Sequence, residues 1–295
     1  SITINGFGFD NNAANNSITF NNASVRAITS ATATTLNVTL TTKPTAAGNL
    51  TAQVTTNSVG NGAAVNVATV TPVVTTRTVA LAANAATMTI QGFGFSTTPG
   101  NNTVVLNNSA VGTVTAATAT TLTVTFSTNP DTAGNITAVV TTNSVSSGSA
   151  VQVGTVTPVI TSSSTAVAAN VATLTIAGFG FDGTTPGNNL VVMNNGSVGT
   201  VTAATTTSMT VTFRTYPTVA GTLNAVVTTN SVSSGTAVQV ASIRPVVTSS
   251  TSGLAADATT ITIAGTAFSP TAANNSVTFN NGAVGTVTAA TATSL

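Results

Sequence analysis

The sequence predicts an all-β chain built as a tandem array of small β-sandwiches, on three observations. A Gly-Phe turn recurs at Gly6-Phe7-Gly8-Phe9, Gly92-Phe93-Gly94-Phe95 and Gly178-Phe179-Gly180-Phe181, with a reduced copy at Gly265-Thr266-Ala267-Phe268, so the first glycines are spaced by 86, 86 and 87 residues. Each copy follows a segment in which aliphatic and hydroxyl side chains alternate: Ile2-Thr3-Ile4, Met88-Thr89-Ile90, Leu174-Thr175-Ile176 and Ile261-Thr262-Ile263. Alternation at period two marks a strand with one face buried. No stretch shows apolar residues at helical spacing, whereas β-branched Thr and Val abound and suit pleated surfaces. A period of about 86 residues is one small domain per repeat. This divides the chain into repeat 1 (1–71), repeat 2 (72–157), repeat 3 (158–244) and repeat 4 (245–295).

Repeat 3 gives the expected order of elements. Val159-Ile160-Thr161 opens it directly after Pro158, a residue suited to the start of an edge strand because it lacks the ladder donor. Ala172 to Ile176 is the alternating strand. A bend at the first glycine of the Gly-Phe turn is expected to shift the phase so that the phenylalanines rejoin the core side. The loop Asp182 to Asn189 leads to Leu190–Met193, and Asn194-Asn195-Gly196 reads as a hairpin turn. Val198–Ala203 and the alternating Met209–Phe213 follow. Tyr216-Pro217 to Gly221 is a turn, matched by Pro44 to Gly48 and Pro130 to Gly134. Leu223–Thr228, a turn over Asn230–Gly235, and Ala237–Val240 complete about seven strands, a sandwich pattern. Proline again marks the boundaries at Pro72 and Pro245, with no Gly/Ser linker between repeats, which favours a stiff string over loose beads. Repeat 1 lacks its opening strand and repeat 4 stops at Ser294-Leu295. Both are expected to be cut edges of a longer array, completion by another chain being the alternative.

Only 3% of the residues are charged, five basic and four acidic with net charge +1, where roughly a quarter is usual. No field favours nucleic acid or anionic lipid. With 42% apolar residues and almost no net charge the chain is expected to fold rather than stay disordered. There is no cysteine, hence no disulfide scaffold, and no apolar run approaches the length of a membrane span. Histidine and glutamate are absent too, so a hydrolytic triad or a zinc site has no parts, and four dispersed aspartates supply no glycosidase pair. The chain is expected to be no enzyme and to carry no cofactor. Asp10 and Asp182, each just after the Gly-Phe turn among asparagines, are the calcium candidates, weighed against a turn-forming Asp/Asn cluster. Phe9, Phe95, Phe181 and Phe268 form one repeat-equivalent column; Phe20, Leu106, Met193 and Phe279 a second; Leu40, Phe126 and Phe213 a third. Swaps among Phe, Leu and Met predict core. Phe7, Phe93 and Phe179 give way to Thr266 in repeat 4 and are expected to be half exposed, meeting a neighbouring domain or chain. Sequons such as Asn22-Ala23-Ser24, Asn37-Val38-Thr39 and Asn135-Ile136-Thr137 are candidate sites for attached glycans.

The pattern resembles the IPT/TIG family of immunoglobulin-like domains. The resemblance runs through Pro245-Val246-Val247, Thr260-Ile261-Thr262-Ile263-Ala264-Gly265 with Phe268, Asn275-Ser276-Val277-Thr278-Phe279, Gly285-Thr286-Val287-Thr288 and the closing Thr228-Thr229-Asn230-Ser231-Val232. It implies an immunoglobulin-like Greek-key sandwich, and a place in a large secreted or surface protein of a bacterium or archaeon. The family also occurs in transcription factors and plexin-type receptors; this chain has neither the basic loops of the first nor the cysteines of the second.

Natural sandwiches guard their edges with lysine and other charges. Here Lys43 is the only lysine, and the solvent faces are Thr, Asn and Ser. Such faces do not repel one another. The expected role is therefore a non-catalytic, structural segment of an extracellular fibre or cell-surface stalk, with copies of itself as partners. An adhesin whose binding tip lies outside this segment is the alternative.

Overall fold

Strands form where one face can be filled by aliphatics and the other by hydroxyls, and repeat 3 shows the plan most fully. The structure is a computed structural model describing residues 1–22, 26–250, 252–280 and 282–295. It divides into two compact units, one of 1–81, 85–129 and 135–155, the other of 82–84, 130–134 and 156–295. Repeat 3 lies wholly in the second. Its first sheet has the order Val159–Ile160, Thr173–Phe179, Ser208–Thr215, Val198–Ala204; its second has the order Ala166–Ala168, Val238–Arg244, Gly221–Thr229, Asn189–Met193. Pairing is antiparallel except between Ala166–Ala168 and Val238–Arg244, where Ala166 faces Ser242 in parallel. Val232–Ser233 pairs beside Gly221–Thr229 as a fifth strand of the second sheet. A four-stranded and a five-stranded sheet of this order, face to face, make an immunoglobulin-like sandwich. The core between them includes Leu174, Ile176, Phe181, Met209, Val211, Leu223, Ala225 and Val227.

In the first unit the same plan recurs. Thr87–Phe93 lies between Thr121–Thr128 and Val73–Val74, and Val111–Ala117 forms the edge. In repeat 1, Ile4, Ile18, Leu36, Val38 and Leu50 fill a separate core. Repeats 1 to 3 are thus immunoglobulin-like sandwiches in tandem. Pro245 alone separates Val238–Arg244 from Val246–Val247. Its ring forbids the ladder donor at that point, so one strand must end and the next begin.

Several expectations are corrected by the structure. The phase does not break at the first glycine. Strand Thr173–Phe179 alternates without interruption, with Leu174, Ile176 and Gly178 inward and Phe179 outward. The bend comes at Gly180, where φ is 77°, as at Gly8 and Gly94. Phe181 then folds back so that its ring fills the space a side chain on Gly178 would need. A Cβ at Gly178 would overlap that ring and the Val159 carbonyl oxygen. Asn194-Asn195-Gly196 is not a hairpin: the strand before it pairs with Gly221–Thr229 and the strand after it with Ser208–Thr215. The turn crosses between sheets, and the Asn195 side chain ties it to Val219, donating to the carbonyl and accepting from the N–H at 3.2 Å. Two short strands, Ala166–Ala168 and Val232–Ser233, fall where loop was expected. Within Gly221–Thr229 the alternation runs from Leu223 to Thr229, with Ala225 as an inward residue.

In repeat 4 the structure forms only the pairing of Val246–Val247 with Gly265–Thr266 and a bridge between Ala264 and Ser294, among the described residues. The expected strands at Asn275–Phe279 and Gly285–Thr288 do not form. In repeat 3 their counterparts pair with Gly221–Thr229 and with Ser208–Thr215. Of the columns expected in the core, Phe95, Phe181, Phe268, Phe20 and Phe213 are buried, while Phe9, Leu40, Leu106, Phe126, Met193 and Phe279 are only partly so.

Replacing Phe181 with Ala should cost about 3–5 kcal/mol of repeat 3 stability, since nothing else fills the seat over Gly178. Replacing the exposed Phe7 with Ala should change stability by less than about 0.5 kcal/mol. Hydrogen-exchange protection of the surrounding strands reads both. Equal losses would show that the buried ring has been wrongly identified.

Candidate functional site

Two constructions recur at the loop end of each sandwich. The first is an asparagine hub: Asn16, Asn102, Asn189 and Asn275 end a single 3-10 turn and begin the next segment. Asn189 Oδ1 accepts from Asp182 N–H at 3.0 Å and from Thr229 Oγ1 at 2.8 Å, while its Nδ2 donates to the carbonyls of Asp182 at 2.9 Å and Pro186 at 3.2 Å. Asn102 repeats this with Ser96, Thr98 and Thr142. Every polar atom of a buried amide is thereby used, which is what makes its burial tolerable.

Asp182 sits beside the hub. Its carboxylate accepts from Thr184 N–H at 3.0 Å, Thr184 Oγ1 at 2.7 Å, Thr185 N–H at 2.9 Å and Asn188 Nδ2 at 2.8 Å. These bonds, Asn188 foremost, hold its carboxyl well below the usual carboxylate range despite the opposing effect of burial. Asp10 accepts from Asn12 N–H at 2.8 Å, Asn15 Nδ2 at 3.0 Å and Asn57 Nδ2 at 3.1 Å, and is likewise lowered, mainly by the Asn12 amide. Ser96 and Ser269 take the same place in repeats 2 and 4, accepting from Thr98 and Thr271 N–H. A carboxylate ringed by N–H and O–H donors is arranged as an acceptor for its own turn. Among the described residues no group of three His, Cys, Asp or Glu comes together.

The second construction joins consecutive repeats. In the first unit, Ala47 N–H donates to the Gly94 carbonyl at 2.7 Å, and Asn143 Nδ2 donates to the Ala47 carbonyl at 2.8 Å. In the second unit, Ala133 N–H donates to Gly180 at 2.9 Å, and Asn230 Nδ2 donates to the Ala133 carbonyl at 3.3 Å. Ala220 N–H meets the Ala267 carbonyl at 2.9 Å in the same way. One small residue, the alanine just before Gly48, Gly134 or Gly221, is thus held by the Gly-Phe turn of the following repeat. At the first two junctions that repeat's Thr-Asn-Ser hairpin binds the alanine as well. Ala47 and Ala133 are buried. At Gly180 a Cβ would press on Ala83, so the approach itself requires glycine. The sequence alone did not single out these alanines or the hub asparagines. Their recurrence at fixed repeat positions was the available signal.

Phe93 and Phe179 are 55% and 39% exposed and Phe7 is 92% exposed, so the expected half-exposure describes the first two only. Lys43 Nζ stands 5.7 Å from the Phe93 ring centre, a cation–π contact from the preceding repeat. Ala23 and Ser24 of the first sequon lie outside the described residues. No helix among the described residues is long and apolar enough to cross a membrane.

The IPT/TIG domain profile matches residues 1–72. No curated protein matches the chain. Solved structures are similar at low identity. An I-band fragment of titin has 11% identity and a TM-score of 0.25, over 78% of this chain and 88% of that one. Invasin, a bacterial integrin-binding protein, has 14% identity and a TM-score of 0.24, over 83% and 60%. Domains 4–9 of the surface layer protein SbsC have 15% identity and a TM-score of 0.21, over 80% and 40%.

Because the folded state depresses the Asp182 pKa, its contribution to stability is complete above the ordinary carboxylate value of about 3.9 and is lost as pH falls through the folded value. Asp182→Ser, which imitates repeat 2, should therefore weaken repeat 3 at neutral pH and flatten its loss of stability between about pH 5 and pH 2. Denaturant midpoints across that range would show it. Parallel acid profiles for the two proteins would contradict the assigned role.

Proposed function

We propose that this chain is a structural, non-catalytic segment of an extracellular fibre or cell-surface stalk, acting by end-to-end stacking and lateral association of its sandwiches. The observation that carries the reading is the repeated junction. The same alanine is bonded to the following repeat at Ala47, Ala133 and Ala220, so a local backbone device transmits the register of one sandwich to the next. In such arrays stability is a sum of unit and neighbour terms, and length follows repeat number.

Lateral association is supported by the sheet edges. Asn189–Met193 is the edge strand of its sheet and turns Leu190 and Val192 to solvent, each 60% exposed. In the facing sheet the edge strand Val198–Ala204 exposes Val198. None of these residues is charged, and Pro and Lys are absent from both strands. Unpaired backbone groups beside apolar side chains form a template for pairing with another chain. Copies of this chain are accordingly the proposed partners, at a cell surface, with glycans on exposed sequons modulating their approach.

Light scattering of the unglycosylated chain should show concentration-dependent association that varies little with salt or with pH between about 5 and 9, since almost no charge is involved. Leu190→Lys combined with Val192→Lys should reduce it. A monodisperse monomer under all these conditions would remove lateral association from the account.

A further inference from the structure

The device that joins the repeats is engaged in repeats 2 and 3, and repeat 1 carries the same groups with no contact to another repeat among the described residues of this 295-residue chain. In repeat 2 the engaged face consists of the Gly94 carbonyl, Asn143 Nδ2 and the flank of Phe93; in repeat 3, of the Gly180 carbonyl, Asn230 Nδ2 and the flank of Phe179. The corresponding atoms of repeat 1 belong to Gly8, Asn57 and Phe7. Their backbone is already set for the task. Gly8, Gly94 and Gly180 all have φ of 77°, and Asn57, Asn143 and Asn230 have φ of 50°, 48° and 48°. Each of these asparagines is seated by the same backbone bond, Asn57 to Asn15 at 3.0 Å, Asn143 to Asn101 at 2.9 Å and Asn230 to Asn188 at 3.1 Å.

The difference lies in what the groups touch. A Cβ at Gly8 would meet nothing within 4 Å, whereas one at Gly94 would reach Ala47 and Pro72. Phe7 is 92% exposed against 39% for Phe179. Asn57 Nδ2 turns back to Asp10 at 3.1 Å. That turning back is not forced by an aspartate at this place. Repeat 3 carries Asp182 there, yet Asn230 reaches outward to Ala133.

We infer that the face of repeat 1 formed by Phe7, the Gly8 carbonyl and Asn57 is a preformed docking surface for the Ala-Gly turn of another repeat of the same kind. The occupant follows from continuity with the junctions in place. It must be a tight turn presenting one alanine with both N–H and C=O free. The turns ending at Gly48, Gly134 and Gly221 have that chemistry and are already engaged within this chain. On docking, the incoming alanine N–H bonds the Gly8 carbonyl, and Asn57 Nδ2 leaves Asp10 for the alanine carbonyl. The inference deepens the end-to-end part of the array reading and does not need lateral association. Its test is independent of scattering.

The sequence contains no tryptophan, so Phe7→Trp supplies a unique reporter. In the 295-residue chain this tryptophan should be freely quenched by acrylamide, and Phe179→Trp should mark the docked level. A copy of residues 87–172 placed directly before Ser1, in register with the repeat, brings a second Ala133 turn to Gly8. Quenching of Trp at position 7 should then fall about two-fold, towards the level of the Phe179→Trp protein, with a blue-shifted emission. Ala133→Pro in the added copy, which removes the donor, should restore it. Unchanged quenching in the longer chain, or protection indifferent to the proline, overturns the inference. Should the longer chain fail to fold, the Phe7→Trp chain is titrated with a backbone-cyclised peptide of residues 128–136. A saturable fall in quenching supports docking, and no response up to the peptide's solubility limit overturns it.

Discussion

The seating of one aromatic ring on one glycine governs the architecture. At Gly178 the strand turns an empty position inward, and the Phe181 ring occupies it. To get there the chain must reverse within two residues, which only the left-handed conformation at Gly180 allows. That reversal leaves the Gly180 carbonyl pointing out of the sandwich, where Ala133 meets it. A packing constraint in the core therefore creates the acceptor that joins the repeats. The same sequence of causes holds for Gly92, Phe95, Gly94 and Ala47. Repeat 4 keeps the geometry with Ala267 at φ of 61°, a conformation an alanine adopts only when its surroundings impose it.

With so few charges, polar order in this protein rests on neutral side chains. Asn189 and Asn102 are buried yet fully bonded, and Thr229 and Thr142 lie beneath them with no exposed surface. Asp182 contributes a charge, but four donors of its own loop consume it. Repeat 2 does the same work with a serine. Serine and aspartate at this position accept from amides of the same turn.

Much of this was legible in the sequence. Leu174-Thr175-Ile176 and Met209-Thr210-Val211 form strands in the expected faces because burial on one side enforces period two. Phe95 and Phe181 were identifiable as core from their column. What escaped was what depends on three-dimensional neighbours. Gly178 and Gly180 look alike in sequence, and only the ring of Phe181 tells which of them clears space and which one bends. Asn195-Gly196 adopts the left-handed pair expected of a hairpin, with φ of 62° and 66°, but sheet pairing is decided by strands further along the chain. Ala133 carries no chemical signature at all; its role lies in its main-chain N–H and C=O. In repeat 4 the local pattern is correct for strands, yet Asn275–Phe279 stays unpaired because β-structure needs a partner as well as a propensity.

The central claim is that consecutive repeats are coupled through the backbone of one alanine. Amide hydrogen exchange on the intact chain, resolved at Ala47, Ala133 and Ala220, measures this most directly. The account predicts that these turn amides exchange as slowly as amides in the flanking strands, and that Asn230→Ala speeds exchange at Ala133 by about five-fold, the equivalent of about 1 kcal/mol, without affecting Ala47. Exchange at the rate of open surface loops at all three positions would contradict it.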